Sequence, residues 1–261
     1  MRLTTYLAMF LFLASSAKTW STTHVVIWNK HEVYVGSDGL RQVTTGSSLR
    51  SCKIMAKDNV VLLASGHLAD IHTEIEGNVI STTMLSDFQL GAKDILASHD
   101  NIQVKYTSLE AYAEKVLVEM MVRYDGQKRT EDRADYAIEG VLIWFSDGKP
   151  LMKRFRVNVV GWNERIVRNI YRTTSRALIP YRIYQFPQDL HLGQRNNDLA
   201  TALPSIAKTN PTALVRLILD DTRILYPTIV GEPYGIVRLS KEGLYWIEGE
   251  ALCKEQKLVD F

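Results

Sequence analysis

The order of predicted elements places this chain in the α+β class. Three observations carry that assignment. Two short strands rich in β-branched and aromatic residues open the readable part, at 24–28 and 33–36. A long amphipathic helix follows from residue 107. Tight turns at 146–149 and 240–243 then join adjacent strands as hairpins. Hairpins separated by helical segments argue for antiparallel sheets, because parallel strands need a crossover between every pair. A natural packing is a four-layer αββα sandwich, with two mainly antiparallel sheets face to face and helices outside.

The first strands are joined by Asn29-Lys30-His31-Glu32, a hairpin turn. After a loop around Gly46, residues 52–55 and 59–65 predict a second strand pair joined by Lys57-Asp58, and the sheet region is expected to end at Gly66. Residues 67–80 read as helix. Thr107-Ser-Leu-Glu110 fits a capping box, placing the start of the next helix at Thr107. Leu109, Tyr112, Ala113, Val116, Leu117, Met120, Met121 and Tyr124 form its apolar face, which is read as core packing.

Strands are expected again at 136–145 and 151–160, around the turn Ser146-Asp147-Gly148-Lys149. Residues 165–194 mix basic, aromatic and proline residues and fit either a strand or an inserted loop. Asn210-Pro211 predicts a helix start, with Asn as cap and Pro at the first helical position, running to about residue 226. A hairpin over 232–248 closes the fold, turning at Ser240-Lys-Glu-Gly243.

The chain opens like an export signal. Met1 and Arg2 precede an apolar core at 6–14, and Ser15, Ser16 and Ala17 follow it. The core is too short to span a bilayer stably. Residues 1–21 are therefore expected to be signal peptide plus any short propeptide, and 22–261 a single domain, exported to a periplasm or the extracellular space. Cleavage after Ser21 exposes Thr22 directly; cleavage after Ser16 or Ala17 leaves a few residues to be trimmed.

Composition excludes several classes. With 46% hydrophobic residues over 261 positions a large core is available, and no later stretch is apolar enough to cross a membrane. The 31 Lys and Arg are interspersed with 29 Asp and Glu for a net charge of +2, so no nucleic-acid footprint is present. Neither a CxxC pair nor an HExxH pattern occurs, and no metal or organic cofactor is implied. Cys52 and Cys253 are the two cysteines; they fit either a disulfide or two separate thiols.

The chemistry-bearing residues lie near the start. Thr22-Thr23 precedes the strand Val25-Val26-Ile27, and Val33-Tyr34-Val35-Gly36-Ser37 leads to Asp38. Cys52-Lys53-Ile54 follows, then Ala64-Ser65-Gly66-His67-Leu68-Ala69-Asp70. In this order and spacing the sequence resembles the proteasome β-subunit family of N-terminal nucleophile hydrolases. The resemblance covers most of the mature chain, and its specific part is the first stretch after Ser21. It implies that Thr22 is the nucleophile and that its own freed amine is the general base, titrating near ~8. It implies that Lys53 sits beside the Thr22 hydroxyl, oriented by Asp38, and that the Gly66 amide donates into an oxyanion hole.

The implied reaction is hydrolysis of a peptide or small amide through an acyl-threonine. The family commonly assembles into rings, so a homo-oligomer is a further expectation. Ser21 stands where the family usually has Gly. No Ser occurs at Gly193-Gln194-Arg195, and neither Asp nor Ser occurs at 226–230; Asp220 and Asp221 lie too early to align. The alternative reading is a catalytically inactive scaffold or binding protein of the same fold. His24 and His67 adjoin the site and are read as packing or pocket-wall residues.

Overall fold

Strands rich in β-branched residues and a turn capped by a side chain favour the first hairpin. In a computed structural model, which describes residues 22–42, 48–50, 52–76, 79–125, 134–162, 165–186, 197–227 and 230–255, His24–Trp28 (β1) pairs antiparallel with Val33–Ser37 (β2). The Asn29 side chain accepts from the His31 and Glu32 amides, the local bond that makes Asn a turn former. The expected signal at 1–21, the loop around Gly46 and the stretch Gly193–Arg195 lie outside the described residues.

Leu40–Gln42 (β3) and Ser48–Arg50 (β4) form a small antiparallel pair. Ile54–Lys57 (β5) and Val60–Gly66 (β6) form the second predicted hairpin. The chain then departs from expectation. The described residues of 67–80 are not helix, and the sheet region does not end at Gly66: Ala69–Glu76 (β7) and Val79–Asp87 (β8) form another antiparallel hairpin. Ile71 and Ile75 explain the misreading, because a spacing of four satisfies a helical face and also two steps of strand alternation. The β-branched content of Val79-Ile80-Ser81-Thr82-Thr83 favours the strand.

Phe88–Ala97 (α1), which the sequence did not reveal, follows directly, capped by Asp87 accepting from the Gln89 amide. Ile102–Asp125 (α2) begins a full turn and more before the expected Thr107. Its cap is Asn101, whose Oδ1 accepts from the Gln103 and Val104 amides. Thr107 is inside the helix, its hydroxyl donating back to the Gln103 and Val104 carbonyls. The apolar stripe itself is as expected: Leu109, Ala113, Val116, Leu117 and Met121 are buried.

Ala134–Ser146 (β9) and Lys149–Trp162 (β10) form a long antiparallel hairpin through Asp147 and Gly148, both at positive φ. The region that was hardest to read holds strands: Arg165–Arg172 (β11), Arg176–Ala177 (β12) and Ile183–Phe186 (β13). Asn197–Thr209 (α3) precedes Pro211–Leu225 (α4), which starts as expected, with Asn210 Oδ1 accepting from the Ala213 amide. Gly235–Ser240 (β14) and Gly243–Glu248 (β15) make the closing hairpin, and Glu250–Glu255 (α5) is the last described element.

Two larger antiparallel sheets result. One has the order β13-β1-β2-β14-β15; the other runs β11-β10-β9-β6-β5, with β12 also on β10. Alternation gives each sheet two apolar faces. Val26, Val33, Val35 and Val237 of the first sheet cluster with Ile54, Val61, Leu63, Val141 and Ile143 of the second. The reverse face of the second sheet, including Leu62, Leu142 and Val157, packs on α1 and α2. Val25, Ile27 and Ile236 on the reverse of the first pack on Leu214, Val215 and Ile218 of α4. Burying each such side chain contributes about 1.5–3 kcal/mol, so the sheet-to-sheet contact is held mainly by apolar burial. Among the described residues no helix is long and apolar enough to cross a membrane.

The reassigned cap is testable by denaturant unfolding. Asn101→Ala should lower stability by about 1 kcal/mol, whereas Thr107→Ala should change it by less than about 0.5 kcal/mol.

Candidate active site

Thr22 and Thr23 lead straight into β1 and are 1% and 0% exposed. Strand alternation puts His24 and Val26 on the face toward the second sheet, and two residues further back it puts Thr22 there as well. The β1–β2 ladder continues past its last paired residues. The Asp38 amide donates to the Thr23 carbonyl at 3.2 Å, and the Thr23 amide donates to Asp38 Oδ1 at 2.7 Å. Asp38 is thus held by the residue adjoining the candidate nucleophile. The segment behind it is crowded: a Cβ on Gly39 would lie 2.2 Å from the Pro233 carbonyl oxygen, so only glycine fits.

Lys53 approaches from the other sheet, at the entrance to β5. Its Nζ lies 2.9 Å from Asp38 Oδ2, and the two side chains are 2% and 0% exposed. A buried pair of this kind loses hydration on both ions and is retained because neither partner can be removed alone without leaving a buried charge. The Lys53 backbone is fixed too. Its carbonyl accepts from the Ala64 amide at 3.3 Å. Cys52, immediately before it, is joined by a disulfide to Cys253 in α5 across a sequence separation of 201 residues. Gln89 of α1 donates its side-chain amide to the Cys52 carbonyl.

Gly66 closes β6 at φ +100°, a conformation other residues adopt only under strain. It lies two residues beyond Ala64, so the segment bonded to the Lys53 carbonyl is also the one that ends at Gly66. The structure therefore brings Asp38 and Lys53 into contact, ties the residue after Thr22 to the same carboxylate, and sets Gly66 on the strand bonded to Lys53. Asp220, by contrast, is on α4, where Oδ1 accepts from the Tyr234 hydroxyl at 2.8 Å.

Two features were not readable as site residues. His24 is buried, and its Nε2 lies 3.0 Å from the Ala64 carbonyl oxygen. Burial, with a smaller effect from the Lys53 charge, lowers its pKa from 6.5 to about 3, so the ring is neutral at ordinary pH. Its Nε2 faces an acceptor and must carry the proton; buried Nδ1 has no hydrogen-bond partner among the described residues. The second feature is Glu139, a 2%-exposed residue directly across β9 from Ser65, whose Oε2 accepts from Arg154 Nη2 at 2.7 Å. A Glu within the apolar run Ala137-Ile138-Glu139-Gly140-Val141 was the available signal. His67, as read, is a packing residue: its Nδ1 accepts from the Ala137 amide and its ring meets Tyr136 edge-on.

Two measurements follow from this geometry. Lys53→Ala leaves the Asp38 carboxylate buried without its ammonium partner, and should cost about 3–5 kcal/mol in urea unfolding; replacing both partners by apolar residues should recover much of that loss.

The second is acid sensitivity. A histidine whose pKa is lowered from 6.5 to about 3 binds its proton in the unfolded state first, so its contribution is full above pH 6.5 and is lost as pH falls toward 3. Stability measured against pH should fall through that window more steeply in the wild type than in His24→Gln, by at most about 1.4 kcal/mol per pH unit.

No protein-family model matches the chain, and no curated protein matches it. Among solved structures it is similar to Anbu from Hyphomicrobium sp. strain MC1, in a Gly-1 mutant, at 13% identity and a TM-score of 0.44 over 90% of this chain and 92% of that one. It is similar to Anbu, described as an ancestral beta-subunit, from Yersinia bercovieri at 12% identity and a TM-score of 0.44, covering 89% and 92%. A further Anbu structure from Hyphomicrobium gives 12% identity and a TM-score of 0.36. At these scores nothing about family, site or activity follows from the likeness.

Proposed function

We propose that this chain is an exported N-terminal threonine hydrolase, a peptidase or amidase, whose mature form begins at Thr22. On this reading residues 1–21 are removed, 22–261 form one αββα domain, and the two apolar sheet faces meet around the nucleophile. The buried Lys53–Asp38 pair carries the reading: 2.9 Å apart, it reaches between the sheets and shares its carboxylate with the Thr23 amide. A buried ammonium is costly to hold, and buried charges of this kind gather at functional sites.

In the proposed reaction the Thr22 hydroxyl oxygen attacks the amide carbonyl carbon. Its proton passes to the freed Thr22 α-amine. Oxygen charge develops where the Gly66 amide donates. The carbon–nitrogen bond breaks, the leaving amine takes the proton, and an ester to Thr22 remains; water, deprotonated by the same amine, hydrolyses it. The Lys53 charge favours the alkoxide, and Asp38 keeps that charge in place. The disulfide supports export, since such bonds persist in oxidising compartments. Peptide or small amide substrates and a homo-oligomer belong to the same proposal.

One observation favours a second reading, a non-catalytic scaffold: neither Asp nor Ser occurs at 226–230, and Asp220 accepts from the Tyr234 hydroxyl. The test is to isolate exported protein, measure its intact mass, and assay a set of peptidyl-aminocoumarin amides. The enzyme reading expects a chain starting at Thr22 and turnover that falls by roughly 10³-fold or more in Thr22→Ala. Lys53→Arg should also fail, because a planar guanidinium does not replace a compact ammonium in that gap. A chain stably starting at Ala17 or Lys18 would leave only the scaffold.

A further inference from the structure

Four bonds on different elements join into one closed circuit. Asp38 accepts from the Thr23 amide through Oδ1 and from Lys53 Nζ through Oδ2. The Lys53 carbonyl accepts from the Ala64 amide, and the Ala64 carbonyl accepts from His24 Nε2. His24 is bonded covalently to Thr23, which closes the ring. Its members come from the end of β2, the entrance to β5, the interior of β6 and the start of β1. Every side chain in it is buried: His24 1%, Asp38 1% and Lys53 2% exposed.

We propose that His24 is a positioning residue, whose neutral imidazole closes this ring and so fixes Lys53 and the Gly66 end of β6 relative to Thr22. The inference rests on the reading of Thr22 as nucleophile for its catalytic consequence, though not for the ring itself.

The physical case is one of replaceability. The other three bonds use backbone groups or the Lys53–Asp38 pair. The β1-to-β6 link is made by one side chain, and apolar contacts elsewhere between the sheets are non-directional. Without His24 the sheets still stack, and the start of β1 is tied to β6 through the longer path over Asp38 and the flexible Lys53 side chain, which sets their distance less tightly. A neutral donor is needed there, because a charged imidazolium would be buried beside Lys53. The imidazole is kept neutral by that burial and by the Lys53 charge. The carbonyl it bonds belongs to the residue whose amide bonds Lys53. Displacing β6 therefore moves both the ammonium-bearing segment and Gly66, and a misplacement of about 1 Å can cost 10²-fold in rate.

The test uses processed protein and three versions of position 24. In His24→Leu, which fills the volume and removes the donor, kcat on a peptidyl-aminocoumarin amide should fall by about 10²-fold with KM changed less than about threefold. His24→Gln, whose amide nitrogen reaches to about the Nε2 position, should restore kcat to within about tenfold of wild type. Amide hydrogen exchange at Thr23 and Ala64 reads the ring without any turnover. Exchange should be at least about tenfold faster in His24→Leu and near wild type in His24→Gln.

Wild-type kcat in His24→Leu with unchanged exchange would overturn the proposal. So would equal losses in Leu and Gln variants that remain folded, because packing and not the donor would then matter. If wild-type protein shows no turnover but exchange responds as stated, the ring stands and the hydrolase reading fails.

Discussion

The arrangement depends on one buried ion pair between two sheets. Lys53 and Asp38 flank strands of different sheets, yet their side chains meet at 2.9 Å with almost no exposure. Apolar burial brings the sheets together without fixing their register, since it is proportional to area and not to direction. The ion pair supplies direction. Separating the two charges would leave each buried without its counter-ion, so sliding of one sheet on the other is opposed by several kcal/mol per ion. Thr22 adjoins Thr23, whose amide bonds the Asp38 carboxylate, so its place follows from that of the pair.

Around the pair, backbone geometry and covalent chemistry remove the remaining freedom. Gly39 lets the segment after Asp38 lie against the Pro233 carbonyl. The Cys52–Cys253 disulfide holds the residue before Lys53 against α5, and Gln89 bonds the same residue from α1. The far end of β6 is set by Gly66 at positive φ. A polar interior of this kind has to be satisfied throughout, because each missing bond in it costs more than it would at the surface. Glu139 and Arg154 continue it along β9 and β10, one register step from Gly66.

Elements with a local cause were legible. The turns at Asn29, Asp147-Gly148 and Ser240–Gly243 depend on residues that prefer those dihedrals or bond their own backbone. The Asn210-Pro211 helix start depends on a cap and a fixed φ. Where two local readings competed, the sequence failed. Ile71 and Ile75 satisfied helix and strand alike, and only pairing with β8 selects the strand. Thr107 offered a capping pattern, but Asn101 captured the amides one turn and more earlier. Of the strands between 165 and 186, Arg165–Arg172 is an edge strand whose exposed residues carry no burial signal, and Ile183–Phe186 alternates over a run too short to stand out.

For the site, the sequence by itself determined which residue types stand where: Thr22, Asp38, Lys53 and Gly66, at spacings that place each beside a strand end. It also left two cysteines free to pair or not. Tertiary structure decided the rest. The contact between Lys53 and Asp38, the disulfide, and the bond from His24 to the Ala64 carbonyl, 40 residues along the chain, all cross between elements that local propensity does not orient. Their partners come from the sheet order, set by strand pairing and the summed burial of many side chains, and from the alignment that the buried ion pair then gives the two sheets.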